Sequence, residues 1–233
     1  MDADFPAGLL PDIELFFSSE HTRKPGEDVY PAVFEAPYFF PLQRQREMAR
    51  MMQLARSINP KVVYEIGADK GGGLYHWCKC LTSVKRVIAC EIRGTPYRSL
   101  FEKHFPHLDF LWLEGSSYEP ASVARVKKWL GADKLDCLFI DGDKGQFVLD
   151  FELHQPFLSQ GAIVFTHDVQ DPAPFEAFKQ IAPKGKRSEK VVDISESKEA
   201  CARAEQGLPA ASSHEEWLRI WQGQSAGFGV VYF

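Results

Sequence analysis

The sequence predicts an α/β fold, a doubly wound, mostly parallel seven-stranded sheet with helices on both faces, and three observations carry that expectation. From residue 60 onward, short β-branched or aromatic runs alternate with helix-length segments, as in parallel strands joined by crossover helices. A glycine-rich turn, Glu65-Ile-Gly-Ala-Asp-Lys-Gly-Gly-Gly73, follows the first of these runs. Acidic residues stand at the ends of later runs, with Glu91 closing the second, Asp141 following the fourth and Asp168 lying just past the fifth.

Taken in order, strands are expected at 62–67, 86–91, 109–114, 135–140, 161–166 and 228–233. Helices at 74–81, 97–105, 120–130 and 147–157 carry apolar residues at helical spacing, and their crossovers are expected to be right-handed. The segment 1–59 differs in composition: Phe5, Phe16, Phe17, Tyr30, Phe34, Tyr38, Phe39 and Phe40 sit among prolines, ahead of a helix-like stretch at 42–57. It reads as an aromatic cap over one sheet face, the alternative being a lid or a homodimer surface. Residues 60–233 read as the ligand-binding domain, with an insertion at about 170–226. That insertion holds Pro172, Pro174, a strand at 190–194 and helices at 195–206 and 212–222. It is too long for a simple connection and is expected to wall a substrate pocket or cover the core.

With 233 residues, 45% of them apolar and 25% charged, the chain has the composition of one globular domain with a sizeable core. A net charge of −5 argues against a nucleic-acid partner, and Lys184-Gly-Lys-Arg187 reads as a solvated loop. Cys78, Cys80, Cys90, Cys137 and Cys201 are odd in number and lack paired metal spacing, so reduced thiols are expected. No apolar run approaches the roughly 20 residues that span a bilayer, so no membrane partner is expected and the cytoplasm is the expected location.

The glycine turn indicates a ligand class. Gly67-xxx-Gly71 departs from the G-x-G-x-x-G turn that seats a pyrophosphate. Glu65 beside it would repel phosphate and attract a cationic ammonium. Glu91, at the neighbouring strand end, can accept both ribose hydroxyl protons. Together they point to a phosphate-free adenosyl ligand, S-adenosylmethionine, although a glycine turn taken alone fits any α/β protein. A second constellation joins Asp141-Gly-Asp-Lys144 to His167-Asp168. Strand ends on one edge of a parallel sheet face one crevice, so Asp141, His167 and Asp168 can converge as a divalent-metal set. The alternative is that these groups cap strand ends and complement a helix terminus.

On these motifs the chain resembles the class I S-adenosylmethionine-dependent methyltransferases, over about 62–169 and again at 227–233. It is most similar to the catechol and caffeoyl-CoA type of small-molecule O-methyltransferases. It also resembles the antibiotic-tailoring and sugar O-methyltransferases called cephalosporin hydroxylase-like, through Phe139-Ile-Asp-Gly-Asp143 and His167-Asp168-Val169. The resemblance implies a Rossmann-like fold and methylation of a small-molecule hydroxyl. It places Glu65, Gly67, Ala68 and the loop glycine Gly71 at the cofactor, Glu91 on its ribose, and Ser116 and Ser117 near its adenine. Asp141 would join cofactor and metal, His167 and Asp168 would complete the metal set, and Lys144 would be the general base. His167 stands where relatives have a carboxylate, and Phe147 where many have tyrosine. An imidazole ligand shifts preference from Mg²⁺ to softer ions or removes the metal, in which case His167 becomes the alternative base. The rival readings are an N- or C-methyltransferase without metal and a cofactor-binding module without turnover. His76, His104, His107 and His154 lack ligand spacing and read as surface or packing residues.

Overall fold

A computed structural model of the protein describes residues 45–95, 97–191 and 227–233. Helix α1 (Gln45–Ser57) leads into β1 (Val62–Ile66), α2 (Gly72–Cys80), β2 (Arg86–Glu91), α3 (Arg98–His104) and β3 (Asp109–Glu114). Then follow α4 (Pro120–Leu130), β4 (Leu135–Ile140), α5 (Phe147–His154), β5 (Leu158–His167), α6 (Pro172–Ile181), β6 (Arg187–Val191) and β7 (Phe228–Tyr232). The seven strands form one sheet in the order β3-β2-β1-β4-β5-β7-β6. Strands β1 to β5 are parallel, and β7 runs antiparallel between β5 and β6. This is the doubly wound, mostly parallel sheet expected from the alternation of strand and helix signals.

Successive side chains of a strand point to opposite faces, and here both faces are covered. Val63, Val87 and Phe139 pack with Met48, Met51, Trp77 and Phe101 beneath α1, α2 and α3. Val62, Tyr64, Ile88 and Leu138 pack with Val126, Phe147, Phe151 and Ile181 beneath α4, α5 and α6. Double burial explains why the strands read as apolar runs instead of alternations. Met48, Met51 and Met52 are wholly buried. At roughly 2 kcal/mol apiece, their burial anchors a helix that would be marginal in isolation.

Three differences from the expected elements have clear causes. Helix α6 was not among the expected elements, its residues having been read only as the start of an insertion holding Pro172 and Pro174. Both lie in its first turn, where the missing N–H would have had no helical partner. The strand expected at 190–194 begins at Arg187, since β6 takes its register from β7, pairing Arg187 with Tyr232 and Val191 with Phe228. Arg187 thereby leaves the expected solvated loop and stacks its guanidinium 4.1 Å from the centre of the Tyr232 ring. Strand β5 starts at Leu158, and its pairing with β4 is interrupted by an irregularity between Leu135 and Cys137. The aromatic segment before residue 45 and the helices expected at 195–206 and 212–222 lie outside the described residues. Among the described residues Cys78, Cys80, Cys90 and Cys137 are free thiols, and no helix is long and apolar enough to cross a membrane.

Candidate active site

Parallel register brings the chemical residues together. Ile66 lies level with Cys90 on one side and Ile140 on the other, and Ile140 lies level with Thr166. The next residues, Gly67, Glu91, Asp141 and His167, therefore emerge side by side at the carboxyl edge of the sheet. They border a cavity of about 550 Å³, walled also by Glu65, Ala68, Ser116, Ser117, Lys144 and Asp168. Every site residue expected from the sequence is in this wall except Gly71.

The glycine turn is shaped by chain crossing. Gly67 has φ +85°, and a Cβ there would stand 2.4 Å from the carbonyl oxygen of Asp141. Only glycine lets β1 turn so close to the end of β4. The amides of Gly67 and Ala68 donate to the Cys90 carbonyl at 2.9 and 3.1 Å, so both residues wall the cavity with their N–H groups already used. Gly71, expected at the cofactor, instead starts α2 at φ +92°, where a Cβ would meet the Phe101 ring at 2.8 Å. Its conformation serves the turn and the packing beneath α2.

Glu91 is held ready. Its Oε2 accepts from the Asp69 amide at 2.9 Å and its Oε1 from the Arg93 amide at 3.3 Å, which leaves lone pairs for further donors. Glu65 is 1% exposed, and among the described residues its Oε2 has no hydrogen-bond partner. Burial, and next the charge of Asp141, hold its carboxyl well above the usual range. Ser117 donates its hydroxyl proton to Asp150 Oδ1 at 2.6 Å, and burial lifts the Asp150 carboxyl to about 6. Sequence reading missed Asp150. The sole hint was one carboxylate inside the apolar run Phe147-Val-Leu-Asp-Phe151.

At the other end of the wall lies a charge cluster. His167 Nδ1 is 3.2 Å from Asp141 Oδ1 and 3.1 Å from Asp168 Oδ1. Lys144 Nζ is 3.2 Å from Asp141 Oδ1 and also pairs with Asp168 Oδ2. Asp168 sits at φ +53°, a left-handed conformation that is uncommon outside glycine and that clusters at functional sites. Burial alone would depress the His167 ring, but Asp141 and Asp168 push it up to about 10. Burial also opposes the Lys144 charge, yet the same carboxylates raise its pKa. In turn, despite burial, His167 and Lys144 hold the Asp168 carboxyl well below its ordinary range. At both His167 and Lys144 the attraction of Asp141 and Asp168 outweighs desolvation and favours the charged form. Phe147 is buried, with Lys144 Nζ 5.8 Å from its ring centre.

Asp141, His167 and Asp168 bring one ligand atom each within 4.8 Å of one another. Two carboxylates and an imidazole suit a transition ion better than Mg²⁺, which favours an all-oxygen shell. Both ring nitrogens of His167 are buried and its Nδ1 faces the two carboxylates, so the set fits a cation. His76 and His154 are buried packing residues whose Nδ1 atoms lie 2.7 and 2.8 Å from the carbonyls of Gly72 and Asp150, one helical turn back.

Solved structures share this architecture. The chain is similar to an O-methyltransferase from Bacillus cereus in complex with S-adenosylhomocysteine, at 14% identity, over 95% of this chain and 97% of that one, with a TM-score of 0.56. It is also similar to TomG from Streptomyces achromogenes, an O-methyltransferase involved in tomaymycin synthesis and seen with S-adenosylmethionine, at 14% identity, over 95% of each chain, with a TM-score of 0.55. At such identities the likeness establishes the fold. No curated protein matches the chain. A family profile described as rhamnosyl O-methyltransferase/CmcI matches residues 40–191 of the 233. That match covers well over half of the sequence, including the whole cavity edge from Glu65 to Asp168, and the chain belongs to the rhamnosyl O-methyltransferase/CmcI family.

Proposed function

We propose that the protein transfers the methyl group of S-adenosylmethionine to a hydroxyl of a small molecule. The observation that carries this reading is the pairing, across one glycine turn, of a pre-oriented carboxylate at Glu91 with a buried, unpartnered carboxylate oxygen at Glu65. Glu91 suits a ribose diol. Glu65 suits an ammonium, whose charge would relieve the cost of a desolvated carboxylate. The cationic groups of the cavity wall, Lys144 and His167, are both already paired, which disfavours a phosphate-bearing cofactor.

S-adenosylmethionine supplies an electrophilic methyl group on a sulfonium. In this reading Glu91 grips the ribose, Ser116 and Ser117 face the adenine, and Gly67 and Ala68 border the methionine part. Asp141, His167 and Asp168 would hold a divalent cation, which supplies Lewis acidity to a hydroxyl bound to it. Lys144 Nζ receives the acceptor's hydroxyl proton as the new O–C bond forms and the C–S bond breaks. It can do so only when Asp141 and Asp168 are engaged elsewhere, because their charge otherwise keeps it protonated. Positioning supplies the remaining acceleration.

The test is calorimetry with S-adenosylmethionine and S-adenosylhomocysteine, followed by detection of S-adenosylhomocysteine production across a panel of hydroxylated acceptors with and without added divalent ions. Micromolar binding of both nucleosides and turnover on a hydroxyl are expected. Absence of affinity for either nucleoside overturns the reading.

A further inference from the structure

A serine hydroxyl carries one proton, and in Ser117 that proton is directed away from the cavity. Ser117 Oγ donates at 2.6 Å to Oδ1 of Asp150, a residue with no solvent exposure in the first turn of α5. With its proton committed, the Ser117 oxygen can offer the cavity only lone pairs. Asp150 is well placed to enforce this. It sits between the buried rings of Phe147 and Phe151 in sequence, its backbone carbonyl is within hydrogen-bond distance of His154 Nδ1, and its Oδ2 has no partner among the described residues to draw the carboxylate elsewhere. Its pKa of about 6 keeps it an acceptor at neutral pH.

We propose that Asp150 is a positioning residue that fixes the polarity of Ser117, so that this end of the cavity selects a nucleobase edge presenting a hydrogen-bond donor, the 6-amino group of adenine, over a 6-oxo purine. The proposal rests on the reading that an adenosyl ligand lies with its base against Ser116 and Ser117. A site built for one polarity rejects the other strongly, since two acceptors are left facing each other without a proton. Asp150 touches neither cofactor nor acceptor in this scheme and acts through Ser117.

The experiment compares the dissociation constants of S-adenosylhomocysteine and S-inosylhomocysteine for the full chain and three variants. Wild type is expected to favour the 6-amino nucleoside by at least about tenfold. Asp150→Asn keeps an acceptor for the serine proton and retains the preference. Asp150→Leu frees that proton and brings the ratio within about threefold, as does Ser117→Ala, a smaller change that preserves folding best. A wild-type ratio near one, or a ratio unchanged in both Ser117→Ala and folded Asp150→Leu, overturns the role of Asp150. Wild type that binds neither nucleoside overturns the adenosyl reading along with it.

Discussion

Both carboxylate oxygens of Glu91 are already oriented by the amides of Asp69 and Arg93, so in the proposed role at the ribose little ordering is left to bind against. Glu91→Ala is expected to weaken S-adenosylhomocysteine binding by roughly 10- to 100-fold in calorimetry, the worth of hydrogen bonds to a charged group. Lys144→Met is expected to leave that affinity near wild type while lowering the single-turnover rate by about 10²- to 10⁴-fold, the usual span for a lost general base. Asp150 makes a separate prediction about pH. Its carboxyl titrates at about 6 in the folded chain against an ordinary 3.8, so the native state holds the proton more tightly than the unfolded one. Its contribution is therefore fully present below pH about 4 and is lost as pH rises through 6, by up to about 3 kcal/mol. Urea midpoints of Asp150→Asn measured from pH 4 to 8 are expected to show a flatter profile than wild type over that window. Glu91, Asp141, His167 and Asp168 were legible in the sequence because a charged residue just past an apolar strand has one place to go. Asp150 was not, because its partner Ser117 lies 33 residues away in the turn between β3 and α4. Gly71 stands outside the cavity wall for a related reason, as its left-handed turn answers to the Phe101 ring from α3.

At the scale of elements, the site depends on how tightly β1 crosses the end of β4. Gly67→Ala would place a methyl group against the Asp141 carbonyl in a left-handed conformation. A cost of about 2 to 4 kcal/mol is expected, seen by calorimetry as a fall of roughly 5 to 15 °C in Tm. Binding of S-adenosylhomocysteine should weaken in the same variant, because Glu65 and Asp141 flank the displaced turn. Strands β1, β2 and β4 were readable since burial on both faces leaves a mostly apolar run. Strand β6, Arg-Ser-Glu-Lys-Val, has no such run, and its half-exposed residues are ordered by backbone bonds to β7 that leave no mark on composition. Helix α6 was hidden by its own prolines, whose meaning reverses between the first turn of a helix and its interior.

For the molecule as a whole, the charge cluster predicts a response to metal removal. Chelation followed by dialysis is expected to depress turnover, and Mn²⁺, Co²⁺ or Zn²⁺ to restore it better than Mg²⁺, since an imidazole replaces one oxygen ligand. Equal activity before and after chelation would remove the metal from the reaction. The sheet order carries one further consequence. Among the described residues strand β6 hydrogen-bonds to β7 alone, and β7 is wedged beside β5 although it lies far downstream in the chain. During synthesis the pairing of β5 with β7 must therefore wait until residues 228–232 emerge from the ribosome, and the pairing of β6 with β7 waits with it. Assembly of that flank is the late event, and the interval before it is when two nascent copies are most exposed to sticking edge to edge.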